Sequence, residues 1–382
     1  MALRQMSRGS RRMTRLGCAA AVLAGVLGAA PPSHAVPDQD EGVLVVRPGE
    51  SIQRAVDAAR PGDTVVLLPG VYRENVRINK SHLMLRGTDG HTVLAPPLTP
   101  TAAPTPPTAP PAQAAPTCDA AGDGICIAGA PGAPGGPLTD VHLRSLTVEG
   151  FRHNGIWASG TEGLTIHHVA ARRNGQWGIG VEKSVHSVLR DNLATDNGDA
   201  GIFLANTANE EAPGLDTRGT LLLENRLGGN RIGITARRVR NLLIAHNTVL
   251  GNCGGVFVVG DENRPPAGAV TVRDNEVLRN NKFCPATKRL PFLQGIGVVL
   301  TGTEDSLVQH NLVRDNVGTS PMSGGVVLFR SFVKAANNRN LIRDNVVLRN
   351  VPADLINADP AGQGNVFVDN ACRTSRPPGL CP

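Results

Sequence analysis

Between residues 166 and 371, short runs of alternating apolar and polar residues recur in a constant order, punctuated by asparagine pairs with four residues between them. The pairs are Asn192/Asn197, Asn225/Asn230, Asn247/Asn252, Asn275/Asn280, Asn311/Asn316, Asn345/Asn350 and Asn365/Asn370, with Asn174 alone in its run. Eight positions before the second asparagine stand Ile166, Leu189, Leu222, Ile244, Val272, Val308 and Ile342. Three before it stand Ala171, Ala194, Leu227, Val249, Val277, Val313 and Val347. A glycine then leads into a third apolar column of Ile156, Ile179, Ile202, Ile234, Val256, Val298 and Val326. Alternation with period two marks strands, and recurrence at about 20 to 36 residues marks one three-strand unit repeated. One such unit cannot close a core, so each strand must stack on its equivalent in the next unit. The expected fold is all-β, a single-stranded parallel β-helix, with the asparagines laddered at its corners and their amides satisfying one another and the turn backbone.

The amino-terminal part departs from the repeat. Val43 to Val46, Ser51 to Ala59 and Pro61 to Tyr72 read as strand, short amphipathic helix, turn and strand. A helix there caps the open end of the coil and blocks edge pairing. With Gly70-Val71-Tyr72-Arg73-Glu74-Asn75-Val76 and Leu83-Met84-Leu85-Arg86-Gly87, this region resembles right-handed parallel β-helix proteins of the pectin-lyase-like superfamily. The asparagine-rich rungs resemble its carbohydrate-binding and sugar-hydrolase repeat group, which includes NosD-type proteins. The resemblance spans residues 43–371 and implies a right-handed coil. It leaves activity open, because lyases, hydrolases, esterases, epimerases and non-catalytic binders share the fold. The Asn-Thr-Asp, Asp-Asp and His-Gly series of polygalacturonases is absent, as is the Asp-Pro-His-Asp stretch of mannuronan epimerases. No catalytic residue therefore carries over.

Residues 1–35 read as an export signal: five arginines precede an apolar run from Leu16 to Ala30, and Ser33-His34-Ala35 offers a cleavage site. Without them, 33 basic residues face 32 acidic ones, and a nucleic-acid partner loses its electrostatic basis. No later run is long and apolar enough to span a membrane, so a secreted monomer is expected. The β-helix domain is expected over 36–382, with cap and first rungs at 43–95, a Pro/Ala/Thr-rich insertion at 96–117, repeat rungs at 118–371 and a tail at 372–382. Six cysteines remain, an even number that favours disulfides in an exported chain. Local pairing is expected: Cys118 with Cys126, Cys253 with Cys284 and Cys372 with Cys381.

Chemistry must be sought beside the ladder. Two residues past each glycine, an outward column reads Trp157, Gly180, Phe203, Thr235, Phe257, Val299 and Val327. If open, Trp157, Phe203 and Phe257 could stack on sugars; if insertions fold over them, they are a second core. Just beyond lie Glu182, Lys183, Arg237, Arg238, Asp261 and Arg330. A lyase or epimerase of acidic polysaccharide needs a base for the C5 proton and cations for the uronate carboxylate. Lys183, Arg238 and Asp261 are the catalytic candidates, with Glu182, Arg237, Arg330 and the three aromatic residues binding substrate. Ordinary solvated turns are the alternative. Calcium is a candidate cofactor, and no protein metal site is assigned. The column His168, Asp191, Glu224, His246, Asp274, His310 and Asp344, just before the first asparagines, reads as an outward ion ladder, because a linear stack does not converge on a metal. An extracellular polysaccharide is the expected partner; the rival expectation is a non-catalytic accessory scaffold of the NosD type.

Overall fold

The computed structural model describes residues 42–88, 91–98, 118, 122–128 and 136–382. The export signal and most of the Pro/Ala/Thr-rich insertion lie outside the described residues. Among the described residues, three long parallel sheets run along the molecule. The first starts at Val43–Val46 and ends at Val366–Val368; the second runs from Gly70–Arg73 to Val346–Leu348; the third runs from Val76–Ile78 to Ser375–Arg376. Each coil contributes one strand to each sheet in turn, the arrangement of a right-handed parallel β-helix. Equivalent residues pair in register, as Ile166 with Leu189, Leu189 with Leu222, and Ile179 with Ile202.

The three apolar columns read from the sequence point inward, and Ile166, Leu189, Val249, Ile179 and Val298 are fully buried in one continuous core. Between the first and second sheets, Asn192, Asn225, Asn247, Asn275, Asn311, Asn345 and Asn370 form a ladder in which each Nδ2 donates to the next Oδ1 at 2.9 Å. Between the second and third sheets a parallel ladder runs from Asn174 to Asn350 at 2.9–3.1 Å and ends on the Asp354 carboxylate. Every amide here is buried, so an unmade bond would cost about 1–3 kcal/mol. The final pair is out of step with the others. Asn370 continues the first ladder, whereas Asn365 accepts from Asn340 at 3.0 Å at the corner entering the first sheet.

The residue before the first-ladder position of each coil is left-handed: His168, before Val169, and Asp191, Glu224, His246, Asp274, His310, Asp344 and Asp369, before asparagines, all have φ between 52° and 57°. A short polar side chain tolerates that geometry better than a β-branched one, which accounts for much of the column's composition. The column is also the ion ladder expected, with His168–Asp191 at 3.1 Å and His310–Asp344 at 3.9 Å on the exposed surface.

The capping helix is Ile52–Ala58, with Ser51 as its N-cap. Glu74, within the stretch that carries the family resemblance, accepts from the backbone N–H groups of Ile52 at 2.6 Å and Gln53 at 3.2 Å, ending the helix on a carboxylate. At the other end Lys80 donates to the carbonyls of Val56 at 3.0 Å and Ala59 at 2.8 Å. In the tail, Ser375–Arg376 adds a strand to the third sheet, and Leu380 packs against the core. The three disulfides join the expected cysteines, with Cα separations of 5.5, 5.9 and 5.6 Å.

Candidate functional site

On the third sheet the strands Ile156–Ser159, Ile179–Glu182, Ala200–Ala205, Ile232–Arg237 and Gly254–Val259 pair so that Trp157, Gly180, Phe203, Thr235 and Phe257 form one outward column. Of the two expectations for this column, the chain builds the one in which insertions fold over it. Trp157, Phe203 and Phe257 retain 0%, 5% and 2% of their surface. Trp157 and Phe203 belong to a small apolar cluster with Trp177 and Ala208, the latter from the loop after Ala205. Phe257 lies in another with Cys284 and Leu293, from the insertion before Ile296. Cys284 and Leu293 exchange backbone hydrogen bonds at 3.0 and 2.9 Å, and the Cys253–Cys284 bridge fixes that insertion to the coil. Sugar stacking on these three rings would require the roof to lift. Gly180 keeps the column continuous, because a Cβ there would lie 2.6 Å from the Trp157 ring and 2.9 Å from that of Trp177.

Several charged candidates turn out to hold the roof. Arg238 and Asp261, both 5% exposed, form an ion pair, and Arg238 also donates to the Glu210 carbonyl. Burial would raise the Asp261 carboxyl, but hydrogen bonds from Asn263 and Arg238 and the Arg238 charge hold it below its ordinary value. This pair ties the loop after Ala205 to the loop after Val259, so neither partner is free to meet a substrate. Glu182 is likewise spent, accepting from Ala208 N–H at 2.8 Å and Ser159 hydroxyl at 3.2 Å. Lys183 and Arg330 are exposed at the ends of their strands, outside this network.

The titratable centre lies at the opposite margin of the same face. Asp199 precedes strand Ala200–Ala205 and accepts from Trp177 Nε1 at 3.1 Å. Its residue surface is only half-buried, but its carboxyl is crowded by protein. Burial raises it above the ordinary value, against the Trp177 hydrogen bond and the charges of Arg231, Arg289 and Arg237. Arg237 is pushed down to about 10 by burial and by Arg238 and Arg289. It donates to the Ala208 carbonyl at 2.9 Å, and Arg289 reaches Ala208 O and Asn209 Oδ1, both at 3.3 Å. The insertion carrying Arg289 therefore meets the loop after Ala205. Arg231, 8% exposed, donates Nη1 to Pro285 O at 2.8 Å, while its buried Nη2 has no partner. Trp177 stacks flat on Phe203, with centroids 4.0 Å apart, and less squarely on Trp157 at 5.2 Å, which fixes the indole that holds Asp199.

Of the sequence candidates, Arg237 joins this centre. Trp177, Asp199, Arg231 and Arg289 were missed. The column two residues before each glycine reads Gln176, Asp199, Arg231 and Cys253, and comparing it would have flagged an acid and a base in adjacent coils. Arg289 sits in an insertion without repeat register. Among the described residues, no group of three or more His, Cys, Asp or Glu side chains could hold a metal ion, and no helix is long and apolar enough to cross a membrane.

Residues 118–277 match a family model described as the right handed beta helix region. No curated protein matches the chain. Among solved structures, it is similar to the A-module of mannuronan C-5 epimerase AlgE4 from Azotobacter vinelandii, at 17% identity and TM-score 0.52, over 84% of this chain and 89% of that one. It is also similar to DFA-IIIase from Arthrobacter chlorophenolicus A6 in complex with DFA-III, at 13% identity and TM-score 0.54, over 87% and 98% of the two chains. At such identities the likeness is one of fold, and the chain folds as a right-handed parallel β-helix, the region that the match over residues 118–277 describes.

Proposed function

We propose that this protein is exported and binds and processes an acidic polysaccharide beside the roof of its third sheet, by proton transfer at the carbon next to a uronate carboxylate. The observation that carries the reading is Asp199: a carboxyl raised by burial, held by the Trp177 indole and within electrostatic reach of Arg231, Arg289 and Arg237. A raised carboxyl exchanges protons more readily near neutrality, and removing such a base typically costs about 10²–10⁴ in rate. The unpartnered Arg231 Nη2 and the weakened Arg237 supply cations for the uronate carboxylate and for the charge that builds on it as the C5 proton leaves. Return of the proton to the other face gives an epimer; loss of the group at C4 gives an unsaturated sugar. Support for a carbohydrate substrate comes from two proteins that share the fold, one a mannuronan C-5 epimerase and one a DFA-IIIase in complex with DFA-III. Three disulfides fit an oxidising, extracellular setting.

The test is a panel of acidic polysaccharides, with and without calcium, read by unsaturated-uronate absorbance and by proton exchange at C5 in deuterium oxide. Activity should fall at least 100-fold in Asp199→Asn. No product and no exchange with any substrate would remove the catalytic reading. A second reading, a non-catalytic accessory scaffold, is favoured by the burial of Trp157, Phe203 and Phe257. It predicts polysaccharide or protein binding with no exchange at C5.

A further inference from the structure

We infer that the outer face of the first sheet is a separate binding surface for a linear polyanionic glycan, gripped by Arg86 and Arg144. Strand pairing places Arg86 opposite Arg144, Arg144 opposite His167 and His167 opposite Arg190. These four cationic or protonatable side chains point outward at successive coils, about 4.8 Å apart. Arg86, Arg144 and Arg190 are exposed. Like charges directly opposite on neighbouring strands destabilise a sheet, and a sequence usually relieves them with an acid nearby. Here the nearby acids are engaged elsewhere: Asp140 with His82 at 3.3 Å, Asp191 with His168 at 3.1 Å and Glu224 with Arg190 at 2.8 Å. Among the described residues, neither Arg86 nor Arg144 has a carboxylate within 4.0 Å, and Arg144 meets the ring of His167 at 3.3 Å.

The surface beside them is also shaped. A depression of about 430 Å³ lies between Val66, Leu68, Gly87 and Ser145, with Arg86 and Arg144 on its wall. Gly87 forms part of its floor, because a Cβ there would lie 2.3 Å from the Ser145 carbonyl oxygen and force adjacent coils apart. Val66 and Leu68 offer a small apolar patch to a sugar ring, and two guanidinium forks on one side suit a carboxylate or sulfate. A linear glycan with one negative group per residue suits a column in which cations recur from coil to coil. The observation differs from the one behind the Asp199 proposal, and the two stand or fall separately.

The test is affinity electrophoresis of the full exported chain in gels containing polygalacturonate, dextran sulfate or neutral dextran. Retardation is expected with the acidic polymers and not with dextran, and the stronger of the two identifies carboxylate or sulfate as the anion. Arg86→Ala with Arg144→Ala should weaken the apparent Kd about tenfold. The Arg86→Lys and Arg144→Lys pair should retain most of the binding, and all variants should melt together. Undiminished retardation of the alanine pair would overturn the inference. So would equal retardation by neutral dextran, or displacement of polygalacturonate by oligodeoxythymidylate at the same charge concentration, which would make the face a general polyanion surface.

Discussion

The outer faces of the third and first sheets are built from the same repeat, yet one is roofed and the other is bare. Over the third sheet, the loop after Ala205 and the insertion before Ile296 cover Phe203 and Phe257, and the Arg238–Asp261 pair ties the loop after Val259 to the first of them. The first sheet leaves Arg86, Arg144 and Arg190 exposed. The difference follows from the asparagines. The corner leaving the first sheet is one left-handed residue followed by a ladder amide, and an insertion there would pull that amide out of a stack made at 2.9 Å. The second ladder holds the corner leaving the second sheet in the same way, so the chain lengthens only past its asparagines, before a third-sheet strand, and at that sheet's far end. Even the largest insertion starts only after Asn280 has taken its place in the second ladder. Invariant corners keep the coil, and free corners acquire loops, polar networks and candidate chemistry.

The sharpest break of that contrast is Asn225→Ala. It strands Asn192 N–H and Nδ2 and the Leu189 carbonyl inside the coil, and should cost about 3 kcal/mol or more in urea unfolding, disrupting both faces together. A loss below about 1 kcal/mol would mean that the ladder is not what holds the corner. Next comes Arg238→Ala, which leaves Asp261 buried without its cation; the cost should be about 3 kcal/mol, concentrated in the roof. Limited proteolysis should then cut the 206–214 loop while the coil resists; uniform protection would show that the pair does not secure the roof.

Asp199→Asn should give a smaller, pH-dependent change. The folded carboxyl titrates above its ordinary 3.8, so its charge opposes folding. Wild-type stability relative to the variant is therefore greatest below the unfolded-state value and falls as pH rises through the folded-state value. Melting both proteins from pH 3 to 8 checks the sign; a wild type that gains on the variant with rising pH would contradict it. Smallest is His310→Ala on the bare side, an exposed member of the ion ladder, which should change stability by less than about 0.5 kcal/mol.

The sequence carried the coil almost completely, because each inward residue has an equivalent one rung away and the pattern repeats. Ile166, Leu189 and Leu222 needed no structure to be placed. Asn365 shows the limit: its spacing to Asn370 imitates the earlier pairs, but only the register puts it over Asn340. The outward column was also placed correctly, and the choice between an open stripe and one buried by insertions needed the structure. Alternation tells which side of a strand Trp157 occupies, but nothing about a loop that arrives from about 50 residues away. Arg238 and Asp261 were rightly seen as neighbours, yet their mutual satisfaction depends on burial, which local pattern does not encode. Asp199 escaped notice because its environment is assembled from Trp177, Arg231, Arg237 and Arg289, on two other coils and one insertion.

The central claim is that burial at the margin of the roofed face tunes Asp199. Carbon-13 carboxyl NMR of aspartate-labelled protein, titrated beside Asp199→Asn, tests it most directly. One carboxyl resonance should titrate above the ordinary aspartate range in the wild type and be missing from the variant. If the resonance lost in the variant titrates at or below 3.8, the carboxyl is an ordinary salt-bridge partner and the account of this site is wrong.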